Sequence, residues 1–209
     1  MSNIITVGGL KARVFVVAFF DSNVKRVYEE IKKNSDYNNL DLIFVNAHLV
    51  FGIEHIIGIM KIINERKRRN IVSEIKNLEV EFLMRICCTD QISEALRLNF
   101  GDKSNKDFVI IILTDDNNSQ KLMGIEKEFE RYGTVKYASK EKNDNNGITS
   151  YQYDSRDKEE ILIPSDNSKR DYIINTLFKE KIKAPRSELF TNDIEFLKFL
   201  VERAAISLG

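Results

Sequence analysis

The sequence predicts an α/β fold of mixed α+β type: a single domain with a mixed central sheet covered by helices. Three observations predict it. Short runs rich in Val, Ile and Phe recur along the chain. Between them lie segments whose apolar residues fall at helical spacing. The two kinds of segment alternate without the regular rhythm of repeated βαβ units. With 209 residues, 43 % apolar and 31 % charged, the chain can bury a core of its own, and one domain over residues 1–209 accommodates it.

Each element follows in order. Val7-Gly8-Gly9-Leu10 reads as a turn, because no glycine-rich phosphate motif follows the glycine pair. Residues 12–20 form a Val- and Phe-rich strand. Asp21-Ser22 can cap a helix reaching Ile31, with Val24, Val27, Tyr28 and Ile31 in phase. Leu42-Ile43-Phe44-Val45 is a second strand that ends at Asn46-Ala47. Residues 52–66 read as a helix with a stripe of Ile53, Ile56, Ile57, Met60 and Ile63, widened by Ile59 and Ile62. Glu54, Gly58, Lys61 and Glu65 lie opposite that stripe, and His55 lies at its border. Arg66-Lys67-Arg68-Arg69 is the dense basic run, read first as a solvated helix end that complements the dipole and also able to contact phosphate.

Residues 71–78 suggest a short helix, and the alternation over residues 80–87 suggests a strand. Thr89 is placed to cap a helix over residues 90–98 that Phe100-Gly101 stops. Residues 108–114 are apolar on both faces and read as a central strand. A helix over 119–132 and a short strand over 134–138 follow. Residues 139–157 are polar, bury too little to offset their ordering entropy, and read as an exposed or mobile loop insertion. A short strand at 161–163, a helix over 166–181 and a helix over 192–208 complete the chain. Asn192 and Glu195 resemble a capping box at the start of the last helix.

That last helix is unusually apolar. Ile194, Leu197, Leu200, Val201, Ala204, Ala205 and Leu208 form the expected core stripe, while Phe196, Phe199 and Ile206 fall on an outer flank. Together these positions wrap roughly 260 degrees of the helix, more than twice what a surface helix needs to cover a core. Such a helix is either buried on nearly all sides or carries a second face for a partner, and the partner surface is the favoured reading.

Charge and cysteine usage narrow the function classes. The chain has 32 basic and 32 acidic residues, which argues against a broad electrostatic grip on DNA or RNA but leaves room for a local patch. Its purely apolar runs, such as 14–20 and 109–113, fall far short of a membrane span. Lys11 and Arg13 break the first apolar stretch, no signal-peptide pattern follows, and the two cysteines imply a reducing compartment, so the expected location is the cytoplasm.

The residues carry little catalytic chemistry. His48 and His55 are the only histidines, and Cys87 and Cys88 on a strand would face opposite sides, so no metal or other cofactor is expected and the cysteines read as small core residues. No nucleophile elbow or cysteine-protease surround is present. Asp115-Asp116 closes a strand where a magnesium-binding carboxylate could sit, although with Asn117 and Asn118 the favoured reading is a solvated turn. One rival is therefore a small-molecule-binding or hydrolytic enzyme using His48 or His55 with Asp115 and Asp116. Another is an interaction protein without RNA contact.

The segment Phe44-Val45-Asn46-Ala47-His48-Leu49-Val50-Phe51-Gly52-Ile53-Glu54-His55-Ile56 resembles the signature of the TPRKB-type (PRPK-binding) accessory subunit of the KEOPS complex. Further similarities keep the family's order: Arg69-Asn70-Ile71, Leu78-Glu79-Val80-Glu81-Phe82-Leu83-Met84-Arg85, Gln91-Ile92-Ser93-Glu94-Ala95 and Val201-Glu202-Arg203-Ala204-Ala205. They cover roughly residues 7–114 and 190–208.

The resemblance implies a noncatalytic protein. KEOPS installs the threonylcarbamoyl group on the adenosine 3′ of the anticodon, and its transferase is another subunit. The family's member binds the N-lobe of the PRPK-type kinase-like ATPase subunit and stimulates it. Archaeal relatives bind the tRNA 3′ CCA end. Carried over by motif, Asn46, Ala47, His55 and Arg85 are the tRNA-facing choices, with Lys61, Arg68 and Arg69 on phosphates. Phe196, Phe199, Arg203 and Ile206 are the partner-binding choices. No membrane, DNA, metal or other cofactor enters this expectation. Asp90 stands where relatives often carry a basic residue before the Gln-Ile pair, which weakens phosphate contact at that point.

Overall fold

The computed structural model describes residues 4–21, 23–33, 40–71, 77–102, 104–115, 125–140, 151–154, 167–178, 190 and 192–207. Along the chain the elements run β1 (Ile4–Val7), β2 (Leu10–Phe19), α1 (Val24–Lys32), β3 (Asp41–Asn46), a 3-10 turn (Ala47–Leu49), α2 (Gly52–Arg68), α3 (Leu78–Ile86) and α4 (Ile92–Phe100). They continue with β4 (Asp107–Asp115), α5 (Glu126–Phe129), β5 (Gly133–Lys140), β6 (Tyr151–Asp154), α6 (Asn167–Leu177) and α7 (Asp193–Ile206). Two compact units emerge. The first comprises Met1–Ala47 and Lys103–Leu162, the second His48–Asp102 and Ile163–Gly209.

The first unit is built on the sheet, in the order β3-β4-β2-β5-β6, with β1 paired to β2. Val7 pairs with Leu10, so Gly8 and Gly9 form the hairpin turn, and Gly8 takes φ 57°, a left-handed value that suits glycine. β1 and β5 share one edge of β2, pairing at Arg13 and below and at Phe15 and above respectively, while β4 runs along the other edge. The fold class is as the sequence predicts, but every described strand pairing is antiparallel, so the sheet is antiparallel rather than mixed.

The register brings Phe15, Ile110 and Phe44 into one row across β2, β4 and β3. Phe44 meets Tyr28 of α1 edge-on at 5.2 Å and Phe129 of α5 at 5.6 Å, so both helices cover this face. Buried Arg13 of β2 adds a 2.6 Å ion pair to Glu126, the first residue of α5. The side chains from Phe108 through Leu113 are all buried, as the two-sided apolar run requires of a central strand.

The second unit is helical. α2 packs against α3 and α7, and α3 against α4 and α7. Its core joins Phe51, Cys88, Ile173, Ile174, Phe178, Phe196 and Leu200. Phe51 and Phe196 meet edge-on at 4.9 Å, and the rings of Phe178, Phe190 and Phe199 extend the cluster. Gly58 lies where α7 crosses α2: a Cβ built there would sit 2.5 Å from Val201 Cγ2. A glycine within a helix costs about 1 kcal/mol against alanine. Here it is what lets the two helices approach.

Several elements differ from the sequence expectation. Residues 80–87 are not a strand: α3 is a helix there, opened by Asn77, whose Oδ1 accepts from the backbone N–H groups of Glu79 and Val80. Nearly every side of α3 is buried, so it lacks the polar stripe that marks an amphipathic helix. Cys87 and Cys88 consequently follow a helix end, and Cys88 adopts φ 48°. Asn23, not Asp21-Ser22, caps α1, accepting from the Arg26 N–H. Thr89 Oγ1 accepts from the Gln91 N–H, and α4 begins at Ile92.

The expected helix over 119–132 is confined among described residues to α5, and 116–124 lie outside them. The expected loop at 139–157 contains β6, paired antiparallel with the end of β5, while 141–150 and 155–157 lie outside the described residues. Residues 72–76 of the suggested helix at 71–78, and the strand at 161–163, also lie outside them. α6 and α7 fall within their expected spans, and Asn192 Oδ1 accepts from the Glu195 N–H as the capping pattern requires.

Candidate functional site

α7 sorts its side chains into three strips. Phe196, Leu200 and Ala204 point into the core of the helical unit and are fully buried. Leu197, Phe199, Val201 and Arg203 are half-buried along its borders. Ile194, Glu195, Lys198, Glu202, Ala205 and Ile206 face outward, with Ile194 55 % exposed and Ile206 66 % exposed. Two apolar side chains therefore stand in water on a helix whose inner side is already satisfied.

This corrects the partner-facing set. Phe196 lies in the core and presents no surface; Phe199 packs on Phe178 and Phe190 at 5.1 and 5.0 Å. The aromatic residues on the flank that seemed spare are consumed by α6 and Phe190, elements whose position the periodicity of α7 cannot reveal. Ile194, expected in the core stripe, is instead exposed. Ile206 remains as expected on the outside, and Arg203 is half-buried.

The residues expected to face tRNA divide sharply. Arg85 is fully buried: its Nε and Nη2 each donate to Glu81 Oε1 at 3.0 Å, and its Nη1 donates to the Ala204 carbonyl at 2.6 Å. Burial pulls the guanidinium pKa below its usual value, and Glu81 opposes that pull. Arg66 donates to the same Glu81 oxygen. Arg85 therefore ties α3 to the last turn of α7, bonding a carbonyl near the helix end that also accepts from Ser207 Oγ. Its role is to hold the helix, not to meet solvent.

His55 is likewise interior, 0 % exposed. Its Nδ1 accepts from the Phe51 N–H at 3.3 Å, so the neutral ring carries its proton on Nε2, which has no hydrogen-bond partner among the described residues. Burial first, and the charge of Lys169 second, push its pKa down to about 3. It stays neutral in ordinary buffers. Asn46, the last residue of β3, is also buried; Ala47 is half-buried at the start of the 3-10 turn. Asn46, His55 and Arg85 offer no surface to an RNA in this fold.

Lys61, Lys67, Arg68 and Arg69 are exposed on α2 or just past its end. Lys61 and Arg68, seven residues apart, share one side of the helix. Arg68 and Arg69 both bond Glu65, which holds that carboxyl down to about 2 and raises the Arg68 pKa. Arg66 faces inward to Glu81. The basic run is thus partly neutralised, and its outward charge is smaller than its four residues suggest.

Of the two histidines in the enzyme reading, His55 is buried and neutral, while His48 is exposed. The side chains of Asp115 and Asp116 fall outside the described residues. Among the described residues no group of three or more His, Cys, Asp or Glu could hold a metal ion, and no helix is long and apolar enough to cross a membrane. Both cysteines are buried, with their sulfurs 3.8 and 3.9 Å from the Ala95 and Leu200 carbonyls, and burial raises the Cys87 thiol pKa.

The family model described as Kinase binding protein CGI-121 matches residues 21–150, more than half of the chain. The chain belongs to that family. Membership in the CGI-121 family makes kinase binding its described activity. No curated protein matches the chain. The CGI-121 match includes β3, α2, α3 and α4, the elements whose sequence carries most of the resemblance noted above.

Proposed function

We propose that this chain is the noncatalytic accessory subunit of a KEOPS complex, acting in the cytoplasm in threonylcarbamoyladenosine modification of tRNA. It docks a PRPK-type kinase-like ATPase subunit through the outer strip of α7 and recruits tRNA by its 3′ CCA end. The observation that carries the docking part is the pair Ile194 and Ile206, exposed on a helix whose core-facing strip is complete. Burying each at an interface would contribute about 1.5–3 kcal/mol before association costs. Glu195, Lys198 and Glu202 share that strip with them, so the complementary groove is apolar with a rim of both charges.

For RNA, the supporting residues are the exposed cations Lys61, Arg68 and Arg69; Ala47 is half-buried, and the buried Asn46, His55 and Arg85 are left out. The modest charge of this edge fits recruitment of a short single-stranded tail better than a grip on duplex RNA.

The test is co-purification of the purified chain with the kinase-like subunit. Ile206→Asp and Ile194→Asp are expected to abolish capture while leaving the unfolding midpoint unchanged. Retained capture by both variants would remove α7 as the docking helix. In parallel, Arg68→Glu with Arg69→Glu should weaken tRNA binding and flatten its salt dependence by up to about two charges. Equal binding of intact tRNA and tRNA lacking its 3′ tail would leave an interaction protein without tail recognition.

A further inference from the structure

We infer that Glu81 is a positioning residue for the partner-facing end of α7, acting through Arg85; this rests on the docking reading of α7 above and adds to it a side chain that never meets the partner. Glu81 lies on α3 and is buried. One of its oxygens, Oε1, accepts from Nε and Nη2 of Arg85, both at 3.0 Å, and also from Nη1 of Arg66 on α2. The remaining arm of the Arg85 fork, Nη1, donates to the Ala204 carbonyl on α7 at 2.6 Å. Glu81 thus stands where three helices meet, and its reach to α7 runs through Arg85.

The geometry gives each group a separate task. A guanidinium is planar, and its N–H groups point in fixed directions. Once Glu81 holds the edge formed by Nε and Nη2, the aim of Nη1 is settled, and the Ala204 carbonyl lies along it. Arg66 bonds the same carboxylate oxygen from the α2 side, so Glu81 is gripped from two helices. Arg66 and Arg85 oppose each other's charge, and the carboxylate between them is what lets both stay. A neutral group at position 81 would leave two cations facing one another and free the Arg85 fork to turn.

The other end of this relay is the proposed docking surface. Ala204 is fully buried, while Arg203 and Ile206 lie one residue before it and two after it on the same helix. An α-helix repeats with a fixed rise and turn, so holding one carbonyl holds the angle at which its neighbours' side chains leave the axis. Arg85 points the last turn, and Glu81 points Arg85. The Glu81–Arg85 pair therefore acts on partner affinity from inside the fold, separately from whatever it adds to stability.

The experiment titrates the full chain into the purified kinase-like subunit in a calorimeter, at a temperature where unfolding curves show each variant folded. Glu81→Gln keeps the shape and removes the charge; it should weaken binding about tenfold. Arg85→Lys keeps the charge but not the fork, so it cannot serve Glu81 and Ala204 together; it should weaken binding to a similar degree. The double variant should lose no more than the worse single one, because both act on one bond. Glu79→Gln alters another buried carboxylate of α3 and serves as the control: it should leave the affinity unchanged whatever it does to the midpoint. Wild-type affinity in Glu81→Gln and Arg85→Lys, with capture lost in Ile206→Asp, overturns the positioning role and keeps the docking reading. Losses that add in the double variant, or an equal loss in Glu79→Gln, also overturn it. Capture that survives both Ile194→Asp and Ile206→Asp overturns the docking reading and this inference with it.

Discussion

Replacing Gly58 by alanine separates two opposing terms that the structure makes explicit. In a helix exposed to water, Gly→Ala stabilises by about 0.8–1 kcal/mol, because alanine loses less backbone freedom on folding. At Gly58 the new methyl would sit 2.5 Å from Val201 Cγ2 and 3.3 Å from Cγ1. Comfortable carbon–carbon contact is about 3.5–4.0 Å, so the helices must separate by about 1 Å or Val201 must leave its rotamer. Valine is stiff at χ1, and overpacking of this kind costs about 1–3 kcal/mol. Gly58→Ala should therefore be destabilising by up to about 2 kcal/mol, the reverse of the exposed-helix expectation. Urea unfolding of the single variants and of Gly58→Ala with Val201→Ala completes the test. The double variant should recover at least about 1 kcal/mol relative to additivity, because removing the two Val201 methyls makes room for the new one. A stabilised Gly58→Ala variant, with effects that add to those of Val201→Ala, would refute a close crossing of α2 and α7.

Three further outcomes follow from the same geometry. Because His55 titrates near 3 in the folded chain and near 6.5 when unfolded, the unfolded state binds more protons between those values. Stability from its neutral form is complete above about pH 6.5 and falls by up to about 1.4 kcal/mol per pH unit as the pH drops toward 3; His55→Asn should flatten that part of the stability–pH profile, and an unchanged slope would contradict a buried neutral imidazole. Arg85→Met should cost about 3 kcal/mol or more in denaturant unfolding, since it removes the bond to the Ala204 carbonyl and leaves Glu81 with Arg66 alone; a loss under about 1 kcal/mol would place Arg85 outside the core. Gly133→Ala places a methyl 2.5 Å from the Ala18 carbonyl and 2.9 Å from the Phe19 Cα, both backbone atoms that cannot rotate away, so a soluble variant should show a lowered melting temperature.

Most of the sheet was legible because its strands carry β-branched and aromatic residues in unbroken runs, as in β2 and β4. α2 was legible from its isoleucine stripe and α7 from its Asn192 cap. α3 was not: a helix buried on nearly all sides has no polar face, so Glu81 and Arg85 looked like the outward half of a strand. Their i,i+4 spacing was the available signal, since such a pair meets only on a helix. Arg85 was expected to face tRNA from the motif resemblance, and on α3 it is buried. Phe196 and Ile194 exchanged roles because a helical wheel gives angles around α7 but not which neighbours close on them. Buried His55 was placed at a border for the same reason: α6 and its Lys169 come from a distant part of the chain.

Helix ends ordinarily fray, and a helix used for recognition would then have to become ordered as it binds. The Arg85 bond lands on Ala204, inside the final turn of α7, and Ser207 Oγ donates to the same carbonyl at 3.1 Å. The amides of that turn should accordingly exchange with solvent as slowly as those at mid-helix. A protein docking at Ile206, as proposed, would meet a rod already set in shape, and the entropic toll of its arrival would be correspondingly small.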